Sequence, residues 1–83
     1  MITTNQELYG VVREIIEALK NAGEAELASD LHGALAISSL PGEVLGETRF
    51  QLERVKRSKV ADRVDLRRAV DEAIRYVSSA LDG

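Results

Sequence analysis

From Leu8 onward the apolar residues of this chain return every three or four positions, and little interrupts them. Leu8, Val11, Val12, Ile15, Leu19 and Ala22 make the first stripe, with Glu14, Glu17 and Lys20 lying off it. That spacing follows the 3.6-residue period of a helix with one dry and one wet face. No stretch shows the sustained period-two alternation of a strand, and no Asn-Gly or Asp-Gly turn joins two extended runs. Backbone breakers are scarce: one proline and six glycines in 83 residues, with neither between Gly46 and Gly83. The pattern predicts an all-α fold.

The punctuation places four helices. Thr4-Asn5-Gln6-Glu7 has the form of a capping box, in which a hydroxyl accepts from backbone N–H groups and a glutamate reaches back. A helix over 5–22 follows, closed by Gly23, a residue free to take positive φ. Leu27, Ala28, Leu31, Ala34 and Leu35 predict a second helix over 24–38. Ser38-Ser39-Leu40-Pro41-Gly42 interrupts it, with Pro41 suited to a first turn and Ser39 the candidate N-cap. Leu45, Thr48, Leu52 and Val55 give a third helix over 41–56. Beyond Val55 that stripe loses phase at Lys59 and Asp62 and restarts with Leu66, Val70, Ala73, Ile74, Val77, Ala80 and Leu81. The loss of phase predicts a break near 57–61, with Ser58 or Asp62 capping a fourth helix over 62–81; one helix over 47–82 is the alternative. Four amphipathic helices on short connections make an antiparallel up-and-down bundle, and residues 1–83 form one domain.

Composition removes several chemistries. Without cysteine there is no disulfide, thiolate nucleophile or zinc–thiolate site. His32 is the only histidine, and a metal would need further ligands converging on it. Gly42 and Gly46 lack the Lys-Ser/Thr of a phosphate loop, and Ser29, Asp30, His32 and Ser38 share one helix with no strained elbow. The segment Ala25–Gly46 has a helix-turn-helix cadence, but six residues too many precede the turn, and the would-be reading helix opens on Glu43 and Glu47. No apolar run approaches the roughly 20 residues that span a bilayer, and MITTNQELYG has no secretory pattern. The expectation is a cytoplasmic protein, not an enzyme, with no catalytic residue, metal or cofactor.

Charge is unevenly spread. Seven of the eleven Lys/Arg residues lie between Arg54 and Arg68, offset there only by Asp62 and Asp65, in a chain of net charge −3. Widening the window to 53–72 adds Glu53, Asp71 and Glu72, leaving seven cations against five anions. Intrahelical pairs are expected for Glu53–Arg57, Asp65–Arg68, Arg67–Asp71 and Arg68–Glu72. Arg54, Lys56, Lys59 and Arg63 remain as the candidate anion- or partner-binding residues, at the corner between the third and fourth helices. No aromatic is interleaved for base stacking: Phe50 and Tyr76 fall outside the window.

The segments Gly23-Glu24-Ala25-Glu26-Leu27-Ala28, Leu31-His32-Gly33-Ala34-Leu35 and Gly42-Glu43-Val44-Leu45-Gly46-Glu47 resemble small uncharacterised all-helical bacterial proteins. The resemblance covers about half of the chain. It implies an all-α fold in a bacterial cytoplasm and carries no functional residue across. In size, acidity and helix content the chain is also similar to nuclease-toxin immunity proteins, a likeness of fold level only.

The leading expectation is a protein–protein interaction module that self-associates as a homodimer. It follows from the small size and from apolar residues on two sides: Tyr9 and Ile16 extend the first stripe, and Ile37 stands apart from Leu31 and Leu35. Binding of nucleic acid or another polyanion through 54–68 is the alternative from a different class. A toxin-neutralising or regulatory inhibitor is the third.

Overall fold

Thr4 starts the fold in the manner its sequence context predicts. Its backbone is extended, and its Oγ1 accepts the Glu7 N–H at 3.1 Å. The Glu7 carboxylate returns past the cap to accept the Thr3 N–H at 3.0 Å and the Thr3 and Thr4 hydroxyls. The Thr3 hydroxyl and N–H, followed by those of Thr4, hold this carboxyl below its ordinary range. Helix α1 runs Asn5–Asn21 and ends at Gly23 with φ +81°. The Glu24 N–H reaches the Leu19 carbonyl at 2.9 Å and the Gly23 N–H reaches that of Lys20 at 3.1 Å, which satisfies two end carbonyls and turns the chain. The computed structural model describes residues 1–63 and 65–82, with Arg63 described by its backbone alone.

Helix α2, Ala25–Ala34, stops before the expected residue 38. Its end tightens through i→i+3 bonds, Leu35 N–H to His32 and Ala36 N–H to Gly33, each 3.1 Å. The chain must then extend, because a residue preceding proline is pushed out of helical geometry. Leu40, at φ −90° and ψ 119°, occupies the N-cap position of α3, Pro41–Arg57. The hydroxyl that organises this entry is Ser38, not Ser39. It accepts the Leu40 N–H and donates to Glu43 Oε1, both at 3.0 Å.

The expected break after α3 is present, and a second follows it. Ser58 ends α3 in extended geometry, its Oγ donating to the Val55 carbonyl at 2.8 Å, so it closes one helix instead of opening the next. One turn of helix, α4 (Val60–Arg63), presses Val60 and Ala61 into the core. Asp65 then takes φ +55°, and the Leu66 N–H bonds the Ala61 carbonyl at 2.9 Å. This is the same six-residue closure that Gly23 makes, here carried by an aspartate, a residue that tolerates the left-handed region. Helix α5 therefore starts at Arg67, not 62, and runs to Asp82. Asp62 is not a cap: it accepts from Arg67 Nε at 3.0 Å and Nη2 at 2.7 Å across the turn.

Helix α1 packs on α2, α2 on α3, α3 on α5, and α5 returns to α1, which closes a four-membered ring. Leu8, Ile15, Leu19, Leu31, Leu52, Val55, Val70 and Val77 fill its centre, fully enclosed. Ile2, before the first helix, folds back to join them. The radius of gyration, 11.6 Å, matches the about 12 Å expected of a compact chain of this length. The described side chains thus close a core within one chain. No strand occurs among the described residues, and no helix there is long and apolar enough to cross a membrane.

Candidate interaction surface

The cations of the basic corner divide by direction. Arg54 points toward α2, where its Nη1 lies 2.9 Å from Asp30 Oδ2 and 2.8 Å from Gln51 Oε1. Lys56 points the other way, its Nζ 2.9 Å from Asp71 Oδ1 on α5. That contact is Coulombic: Asp71 Oδ1 is shut off from solvent and accepts no aligned hydrogen bond among the described residues, so the ammonium is its compensation. Lys59 is exposed and forms no ion pair among the described residues. The side chain of Arg63 lies outside the described residues. Two of the four candidate residues thus hold helices together, and such part-exposed pairs contribute about 0–1 kcal/mol each.

None of the four expected intrahelical pairs reaches ion-pair distance among the described residues, although Asp71 acts on Arg67 through its charge. Cations reach across the fold instead. Arg49 lies 3.4 Å from Ser78 Oγ and 4.0 Å from Asp82 Oδ2, while seven residues later Lys56 meets Asp71. As α3 advances its α5 partners recede, so the two helices are antiparallel. Asn5 Oδ1 accepts the Tyr76 hydroxyl at 2.6 Å, and Val11 and Glu14 share a shallow depression with Asp65 and Arg68. The α1–α5 pair is antiparallel by the same reasoning.

With its edges taken by α2 and α5 and its inner face in the core, α3 has one free side. The inner face holds Val44, Leu45, Thr48, Gln51, Leu52 and Val55. At 100° per residue, Phe50 falls opposite their mean direction, and 53% of it is exposed. Glu43 and Arg57 lie one heptad before and after it, on the same line, and both are exposed. Flanking this line are Gly46 and Glu53 on one side and Glu47 and Arg54 on the other. A Cβ placed on Gly46 would meet nothing within 4 Å. An interior helical glycine costs about 1 kcal/mol against alanine, and no contact within the chain requires one here. Ile37 and Leu40, 56% and 59% exposed, lie on the connection leading into this helix.

The second face expected on α1 is absent. Ile16 is buried, and Tyr9 packs half-buried against the core, so the first stripe is spent inward. Ile37 does stand outside, as its spacing predicted.

No family model matches the chain, and neither a curated protein nor a solved structure does. The chemistry must be argued from the surface itself. The larger depression, about 940 Å³, lies over α5 and is open to solvent. Its rim mixes Arg67, Arg68 and Arg75 with Asp65, Asp71 and Glu72, so it offers a small ion both signs of charge. Among the described residues no group of three His, Asp or Glu side chains is placed to hold a metal, and His32 stands exposed on α2.

Phe50 and its two heptad neighbours were legible in the sequence. A phenylalanine five residues after Leu45 and two before Leu52 is out of phase with its own helix. Reading the stripe for what it buries, and not for what it leaves out, hides that signal.

Proposed function

We propose that the protein is a non-enzymatic protein–protein interaction module that self-associates through the outer side of α3. The observation that carries this reading is Phe50, a large aromatic held on the solvent side of a helix whose inner face is already satisfied. Burying such a ring against a partner removes apolar area from water, and aromatic residues, phenylalanine among them, are enriched at interfaces.

Polyanion binding through the corner is the weaker reading, because phosphates would compete with Asp30 for Arg54 and with Asp71 for Lys56. Titration of DNA or RNA at two salt concentrations separates the two, since phosphate contacts impose a steep loss of affinity with salt. The test of self-association is mass against concentration by light scattering. The expected result is a rise from the 9.1 kDa of one chain toward twice that value. A mass that stays at one chain up to millimolar concentration contradicts the reading.

A further inference from the structure

The reading above leaves open how two copies meet. We infer that they pair antiparallel, α3 against α3, with Phe50 of each copy at the two-fold axis. The inference rests on self-association and goes on to specify its geometry from the charge order along one helix face.

In an antiparallel pair related by a two-fold axis through position 50, residues equally far before and after that position face each other. Glu43 lies seven residues before Phe50 and Arg57 seven after, so each Glu43 meets the Arg57 of the other copy near the centre line. Residues on one flank stay on one flank under this rotation. Glu47, three before, comes to the same side as Arg54, four after, but Arg54 is already held by Asp30 and Glu47 by Gln51 Nε2 within the chain, so the charge order rests on Glu43 and Arg57. On the opposite flank Glu53 comes over Gly46, where a Cβ would meet no atom within 4 Å beyond the adjoining helix backbone.

Along the centre line each carboxylate meets a cation, and no two like charges are opposed there. A parallel pairing has the reverse outcome, setting Glu43 against Glu43 and Arg57 against Arg57. Like charges in register are repulsive, so the same residues that favour one orientation disfavour the other. The self-complementary order is acidic, aromatic, basic, and it commits the face to a second copy of this chain.

Disulfide trapping tests the geometry cleanly because the chain has no cysteine of its own. Glu43→Cys and Arg57→Cys are prepared separately, both at exposed positions, and their helix content is checked by circular dichroism. A disulfide needs Cβ atoms about 4 Å apart. Under mild oxidation, an equimolar mixture of the two variants is expected to yield at least ~10-fold more cross-linked dimer than either variant alone; light scattering of the unmodified protein is run alongside. Efficient cross-linking of each variant with itself, and none gained on mixing, overturns the antiparallel pairing while leaving self-association standing. No cross-link in any tube, with a dimer still seen by scattering, removes α3 as the interface. A monomeric unmodified protein fails the underlying reading, and this inference falls with it.

Discussion

The inner and outer faces of α3 are built from the same seventeen residues and obey different rules. Inside, Leu52 and Val55 have no solvent exposure and meet neighbours from the other helices. Outside, Phe50 stands on the helix line between Glu43 and Arg57, and half of it is exposed. The inner face is explained by folding alone. On the outer face, an exposed aromatic and an unneeded helical glycine are unfavourable in an isolated chain, and folding gives them no reason to be there. The difference separates residues that folding explains from residues that the proposed pairing would explain.

Substitutions can break that separation. Leu52→Ala removes a fully enclosed side chain and is expected to cost about 3 kcal/mol of stability, read as a lowered denaturant midpoint with an unchanged slope. Phe50→Ser is expected to leave stability within about 0.5 kcal/mol, as for other surface changes, while weakening self-association at least ~10-fold, about 1.4 kcal/mol. If Phe50→Ser unfolds the chain as Leu52→Ala does, the two faces are not distinct in the way argued.

Thr48 sharpens the inner side of the comparison. It has no solvent exposure, and its Oγ1 finds no hydrogen-bond partner among the described residues. A buried unsatisfied hydroxyl is costly, so Thr48→Val, nearly the same shape, is expected to gain about 1 kcal/mol and leave association unchanged. Thermal melts and light scattering on one sample check both halves.

The smallest effect concerns pH. The folded state lowers the pKa of Glu7 below its reference value of 4.5, so its contribution is complete above that value. It is lost as pH falls through the lowered one. Glu7→Gln is expected to flatten that part of the acid limb of the stability profile, with the association at neutral pH untouched.

Much of the fold could be read from spacing, and the exceptions have physical causes. Gly23 announces its turn because glycine reaches positive φ without strain. Asp65 makes a turn of the same kind, yet aspartate is common on helix surfaces, so nothing in the sequence marks the second break. Val60 and Ala61 belong to neither the stripe before them nor the one after, which is what a separate turn between two helices requires. The ion pairs were the least legible part. Intrahelical spacing offers Lys56 the carboxylate of Glu53, whereas the fold gives it Asp71, fifteen residues away. Local rules cannot see that choice because tertiary packing makes it. The basic corner, compelling as a charge count, shrinks once Arg54 and Lys56 are seen to hold α2 and α5. The outer line of α3 was present in the sequence, but its meaning depended on knowing which sides of that helix were already taken.

In the proposed pairing the outer face of α3 recognises its own copy through charge order. Sedimentation equilibrium of two charge reversals, alone and mixed, addresses it most directly. Arg57→Glu and Glu43→Arg each place like charges across the proposed pairing, so each alone is expected to associate at least ~5-fold more weakly than the unmodified chain, about 1 kcal/mol. In an equimolar mixture Glu43 of one variant again faces Arg57 of the other, and Glu at 57 faces Arg at 43. The mixture is expected to regain the unmodified affinity to within about twofold. A mixture that associates no more tightly than either variant alone contradicts it.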